Sequence, residues 1–178
     1  MTLCFVTGNK NKFAEAERIL EDVEQLKLNI DEVQSMDRKE IITAKLQEAM
    51  TQHSGPLFCE DVSLCLSAFN GFPGPLVKFW VASGKSKDLV RRVHAFNDHS
   101  AQAICSIGYF DGKKMHFFEG VVEGKIVAPR VDSDFGFDPI FEVADSKKTF
   151  AEMTADEKNV CSHRARALAK LKDFLESQ

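Results

Sequence analysis

An excess of positive charge is missing, cysteines at zinc or redox spacing are missing, and tryptophan and tyrosine occur once each. Lys and Arg number 23 against 27 Asp and Glu, a formal net charge of -4. That balance excludes a sequence-independent duplex binder, whose affinity rests on neutralising phosphates, so any basic site must be local. No apolar run approaches the ~20 residues that span a bilayer, and the initial LCFV is too short for a signal peptide. The expectation is a cytoplasmic protein with neither nucleic acid nor membrane as partner. The five cysteines (Cys4, Cys59, Cys65, Cys105, Cys161) are odd in number and never spaced C-x-x-C, and they read as buried, reduced thiols. Neither the P-loop nor the dinucleotide glycine signature is present.

What is present is an ordinary globular composition, 44% hydrophobic and 28% charged over 178 residues, with fifteen Phe. It fits a single folded domain over 1–178, with no repeat, low-complexity tract or linker to divide it. Leu3 to Thr7 predicts a buried strand and Lys12 to Asp22 a helix. Leu26, Leu28 and Ile30 alternate as a second strand, and a helix over about 39–51 follows. This βαβα opening favours an α/β sheet. A strand is expected at Leu57 to Cys59, then a Gly/Pro-rich loop through Asn70–Pro75, then a helix capped by Ser86. AICSIGYF, KMHFFEGVVEG and KIVAP read as strands joined by turns at Asp111-Gly112 and at Glu123-Gly124. After the loop DSDFGFDPIF, a helix from Ser162 to Glu176 is expected to close the chain.

Four stretches combine polar groups with backbone constraints. In FVTGNKNK a strand runs into a helix start, where unpaired backbone N–H groups and Lys12 suit a phosphate; a capped helix with solvent-exposed lysines fits that segment equally well. Glu60 and Asp61 adjoin on an extended segment and so point to opposite faces; a strand-end turn is the plainer reading. Paired carboxylates gain a purpose with Mg²⁺, which prefers oxygen ligands and bridges carboxylates to substrate phosphates, and Glu32 is a third candidate. FGFDP sets rings beside a Gly and Asp138, as a flat heteroaromatic ligand would need, although core Phe is the commoner meaning. SHRAR places Ser162, His163 and Arg164 at a helix start, as either converging donors or a capped surface helix.

Taken together, FVTGNKNK, EIITAKLQEA, LFCEDVSLCLSAFNGFPGPLVKFW, GKIVAPR, DFGFDPIF and TFAEMTADEKNVCSHRARAL resemble, in order and over nearly the whole chain, the inosine triphosphate pyrophosphatase family. The resemblance implies an α/β fold, a long mixed curved β-sheet between two α/β lobes with a central nucleotide-binding cleft, and a homodimer. It implies hydrolysis of the non-canonical purine nucleoside triphosphates ITP, dITP and XTP to monophosphate and pyrophosphate. By this similarity Thr7, Gly8, Asn9 and Lys12 cradle the triphosphate with Lys10 and Asn11 nearby, and Lys45 and Lys78 contact phosphate. Glu32 and Asp61 match the metal-site carboxylates, with Glu60 binding or supporting the ion, Mg²⁺ or a substituting Mn²⁺. Asp61 is the general base for water attack at the α-phosphorus. Phe135, Gly136, Phe137, Asp138, Lys158, His163 and Arg164 recognise the base. Two departures stand out: Val62 replaces a nucleotide-contacting Ser or Thr, and Phe137 replaces a Trp or Tyr. A pyrophosphatase for other modified nucleotides, or a nucleotide binder without catalysis, are the competing readings.

Overall fold

The computed structural model describes residues 2–133 and 135–178; residue 134, inside the expected DSDFGFDPIF loop, lies outside them. Among the described residues, seven strands form one open mixed sheet. β1 (Leu3–Val6) pairs in parallel with β2 (Val23–Leu26) and β3 (Leu57–Leu66). β5 (Ser100–Phe110), β6 (Met115–Ile126) and β7 (Phe141–Val143) continue antiparallel, and β4 (Pro73–Gly74) pairs with β3 off the main path. The parallel pairs need helical crossovers, which α1 (Lys10–Glu17) and α2 (Arg38–Gln52) supply.

The termini of these crossovers are written locally. Asn9 caps α1 by accepting from the backbone N–H of Asn11 and Lys12 at 2.9 and 3.2 Å. Asp37 caps α2 through the N–H of Lys39 at 2.8 Å. α1 and the terminal helix α6 (His163–Glu176) cover one sheet face around Phe5, Phe58 and Ile107. α2 covers the other around Cys4, Leu57 and Cys59. A further core gathers α3 (Val77–Ala82) and α4 (Ser86–Val93) with Leu64, Leu66, Val122 and Phe141.

Two glycines on β6 permit close backbone approach, one to a helix and one to a strand. A Cβ on Gly120 would lie 2.1 Å from the His163 carbonyl oxygen and 2.5 Å from the Ala167 nitrogen, so α6 crosses β6 backbone to backbone. A Cβ on Gly124 would lie 2.3 Å from the Glu142 oxygen. Gly124 therefore serves the approach of β7, and the turn expected at Glu123-Gly124 is instead the interior of β6. Asp111-Gly112 does form the β5–β6 hairpin, with Gly112 at φ 96°.

Other expectations shift. β3 does not end at Cys59 but pairs with β5 from Leu57 to Leu66, which puts Glu60 and Asp61 mid-strand. β2 precedes the expected Leu26–Ile30 strand, and Leu28 and Ile30 pack beyond its end. α4 is capped at Lys85 rather than Ser86, with no side-chain cap. Helix α5 (Ala155–Cys161), not foreseen, precedes α6, whose cap is Ser162 accepting from Ala165 N–H at 3.1 Å. No cysteine is in a disulfide; Cys4, Cys59 and Cys105 are buried. Among the described residues no helix is long and apolar enough to cross a membrane.

Candidate active site

The alternation of β3 is the origin of the site. Glu60 faces α1 and α6, Asp61 faces α2, and Val62 turns back to the Glu60 side. Around them opens a cavity of 380 Å³ walled by Asn9, Lys12, Glu32, Lys45, Asp61, Val62, Lys78, residues 135–138, His163 and Arg164, with apolar support from α3. A smaller cavity of 230 Å³ adjoins it, lined by Thr7, Gly8, Asn9, Lys12, Glu32, Lys45 and Glu60. A Cβ on Gly8 would meet nothing within 4 Å, leaving backbone N–H groups approachable there. Thr7 Oγ1 accepts from Asn9 N–H at 3.1 Å and holds the turn.

One end of the cavity is an alternation of ammonium and carboxylate. Lys45, reaching from within α2, donates to Asp61 Oδ1 at 2.8 Å and pairs with Glu32 at 3.1 Å. Lys78, on α3, pairs with the other Glu32 oxygen. Burial resists ionisation of Glu32, but Lys78 and Lys45 bring its carboxyl down to about 2. Burial likewise opposes the Lys45 charge, yet Asp61 and Glu32 hold it at about 12. For Asp61 burial wins over Lys45 and its carboxyl is pushed up. The reason is visible: Asp61 Oδ2 is buried with no hydrogen-bond partner.

The other end is a closed chain of charges. Glu60 accepts from Arg164 at both oxygens, 2.7 and 2.9 Å, and pairs with Lys12 at 2.9 Å. Arg164 also binds Glu15, which pairs with Lys158 at 2.8 Å, and Lys158 reaches Asp138 at 2.5 Å. Burial opposes the Glu60 charge, but Arg164 and Lys12 hold it well below the usual carboxylate range. Burial raises Asp138 despite Lys158. It also drives His163, helped by Arg164, far below the usual imidazole value, so His163 is neutral, and its buried Nδ1 has no partner. Gly136 turns the chain at φ 58° between the two rings. Phe137 packs edge-on to Phe141 with centroids 5.9 Å apart, and Lys158 Nζ lies 4.6 Å from the centre of the Phe135 ring.

Most residues singled out in the sequence thus converge, with three qualifications. Lys10 is exposed and outside both cavity linings, and Asn11 lines a separate 230 Å³ cavity with Glu15 and Phe135. Lys158 is outside the main lining, its ammonium shared between Asp138 and Glu15. Glu60 spends its oxygens on Arg164 and Lys12, on the strand face opposite Asp61. Among the described residues no three His, Cys, Asp or Glu side chains are grouped to hold a metal unaided. Glu15 escaped sequence reasoning; its one signal is the i,i+3 spacing from Lys12, which puts both on one helical face.

A family model described as the Ham1 family matches residues 3–174. An inosine triphosphate pyrophosphatase of Schizosaccharomyces pombe is 42% identical over 182 residues, covering 99% of this chain and 96% of that protein. Among solved structures, a HAM1 protein from Coxiella burnetii superposes with a TM-score of 0.85 at 28% identity over 100% of both chains. A nucleoside-triphosphatase, dITP/XTP pyrophosphatase, from Mycobacterium abscessus gives 0.74 at 26% identity over 96% of this chain and 98% of that one.

Proposed function

This chain belongs to the Ham1 family, and on that premise we propose that it hydrolyses non-canonical purine nucleoside triphosphates, ITP, dITP and XTP, to the monophosphate and pyrophosphate. The observation that carries the reading is one cleft with two unlike ends. Lysines and carboxylates converge at one end, and rings with a locked charge network at the other. In this reading Lys12, Lys45 and Lys78 take the triphosphate charge, helped by the backbone at Thr7, Gly8 and Asn9. Asp61 receives a proton from the attacking water. The water oxygen bonds to the α-phosphorus, the bond from that phosphorus to the bridging oxygen breaks, and pyrophosphate leaves.

The unpartnered Oδ2 of Asp61 and the nearby Glu32 fit a hard divalent cation, Mg²⁺ or a substituting Mn²⁺, completed by phosphate oxygens rather than by a third carboxylate. Such an ion supplies charge neutralisation and a lowered water pKa when bound. Glu60 supports the site by holding Lys12 and Arg164. At the base end, three Arg164 N–H groups are committed to Glu60 and Glu15, which leaves two to meet a 6-oxo acceptor. Adenine offers an amino donor at that place and leaves those groups unpaired, a steep penalty. The family resemblance carries over the two lobes and the homodimer, while the charge balance and the lack of a long apolar run support a cytoplasmic single domain with no nucleic-acid or membrane partner.

Purified protein is to be tested with Mg²⁺ against ITP, XTP, dITP, GTP, ATP and UTP, scoring pyrophosphate and orthophosphate separately. Pyrophosphate from the oxo-purines is expected. Orthophosphate as the first product overturns attack at the α-phosphorus, and binding without turnover of any nucleotide favours a sensor.

A further inference from the structure

Glu32 holds a position that metal ligation alone does not explain. It lies in the segment 27–37, which has neither helix nor strand, and its two oxygens are divided between lysines of different elements, Lys45 of α2 and Lys78 of α3. Lys45 is in turn shared with Asp61 at 2.8 Å. The group is therefore two ammoniums and two carboxylates, electrically balanced within the cleft itself. Resting on the reading above, these are the same lysines that a triphosphate needs and the same carboxylates that a divalent cation needs.

We propose that Glu32 is an intramolecular competitor for phosphate at Lys45 and Lys78, so that a metal–triphosphate unit enters by exchange of ion pairs while triphosphate or metal offered alone is disfavoured. A bare triphosphate that takes Lys45 and Lys78 leaves Glu32 and Asp61 unpaired beside a polyanion. A bare cation that takes Glu32 and Asp61 leaves two ammoniums facing it. When both enter together, phosphate replaces carboxylate at the lysines and the cation replaces lysine at the carboxylates, and no charge is left alone. The contact between Glu32 and Lys78 is suited to exchange: their side chains are 42% and 62% exposed, and an exposed pair contributes little. The coupling is reciprocal by linkage, so metal strengthens triphosphate binding by the factor with which triphosphate strengthens metal binding.

The test uses probes without turnover. Inorganic tripolyphosphate is titrated calorimetrically into wild type and Glu32→Gln with EDTA present, and Mn²⁺ binding is followed by paramagnetic resonance in wild type and Lys78→Gln without phosphate. Glu32→Gln is expected to bind bare tripolyphosphate about fivefold more tightly, and Lys78→Gln to bind bare Mn²⁺ about threefold more tightly, magnitudes set by one partly exposed ion pair. Hydrolysis by Glu32→Gln falls, because a metal ligand is lost. A Glu32 that merely ordered its loop would weaken tripolyphosphate binding when replaced. Unchanged or weaker tripolyphosphate binding by Glu32→Gln overturns the competition while leaving the pyrophosphatase reading intact, provided wild type still turns over ITP. If wild type neither hydrolyses any nucleotide nor binds tripolyphosphate with Mg²⁺, both readings fall together.

Discussion

Two ion-pair networks flank the middle of β3, and they differ in depth. The network through Glu60 joins three cations, Lys12, Arg164 and Lys158, to three anions, with Arg164 and Glu60 only 3% and 2% exposed. The network through Asp61 joins Lys45 and Lys78 to two anions and opens to solvent at Glu32. Breaking a buried pair strands a desolvated charge, so the first network cannot exchange partners cheaply and acts as a rigid frame for the base end. In the second only the outer pair, Glu32 with Lys78, can be traded with water or ligand at small cost, since Lys45 and Asp61 behind it are 10% and 18% exposed. Adjacent residues of one strand thus serve a fixed half and an exchangeable half of the same cleft.

The sharpest way to break this contrast is Arg164→Leu, which leaves Glu60 with Lys12 alone and Glu15 with Lys158. Unfolding in urea is expected to show a loss of about 3–5 kcal/mol; a loss below about 1 kcal/mol would deny the frame its role. The pH dependence follows from the depressed carboxyl of Glu60. Its contribution to wild-type stability is present above the unfolded value near 4.5 and disappears as pH falls through the folded one. In the variant that acid-side loss should largely vanish.

Asp61→Asn should invert the pattern. Hydrolysis of ITP falls at least about 10²-fold, roughly 3 kcal/mol in barrier. Burial opposes the Asp61 charge while that charge supports the one on Lys45, so with Lys45 still paired to Glu32 the variant should lose far less stability at pH 7 than Arg164→Leu does. Retention of full turnover would remove Asp61 from the chemistry.

Gly120→Ala comes next. Its methyl group meets backbone atoms of α6, which cannot rotate away, so a stability loss of about 1–3 kcal/mol is expected in the same urea assay. The ratio of ITP to ATP turnover should drop with it, since α6 carries His163 and Arg164. The smallest change is Val62→Thr, which restores a hydroxyl to the cleft wall and should lower KM for ITP about two- to threefold, within the range of one hydrogen bond. Identical kcat and KM would mark the position as peripheral.

The first strand, the two crossover helices and the β5–β6 hairpin were legible because their signals are local: an apolar run, helical apolar spacing and Asp111-Gly112. Helix α3 has six residues, too few to display a helical period. The capping box from Thr154 to Glu157 marks the start of α5, but its seven residues show little apolar period beside the stronger pattern of α6. Glu123-Gly124 misled because a glycine needed for close strand approach looks the same in sequence as one needed for a turn. At the site, no local pattern relates Glu32 to Lys78, which are 46 residues apart. Resemblance to a family supplied that pairing of segments, but not the contact itself. Glu15 was invisible because an acidic residue on a short polar helix reads as solvated until α6 is laid against it.

The pairing of β3 with β5 carries a consequence for how this chain can vary in length. Ten consecutive residues are locked opposite partners, from Leu57 with Phe110 to Leu66 with Ala101. A single residue inserted before Glu60 would rotate every later side chain to the other face, handing Lys45 of α2 the wrong carboxylate. Changes of length are therefore better placed in irregular segments such as 53–56, just before β3, where the strand keeps its count and Glu32 keeps its place on Lys45 and Lys78.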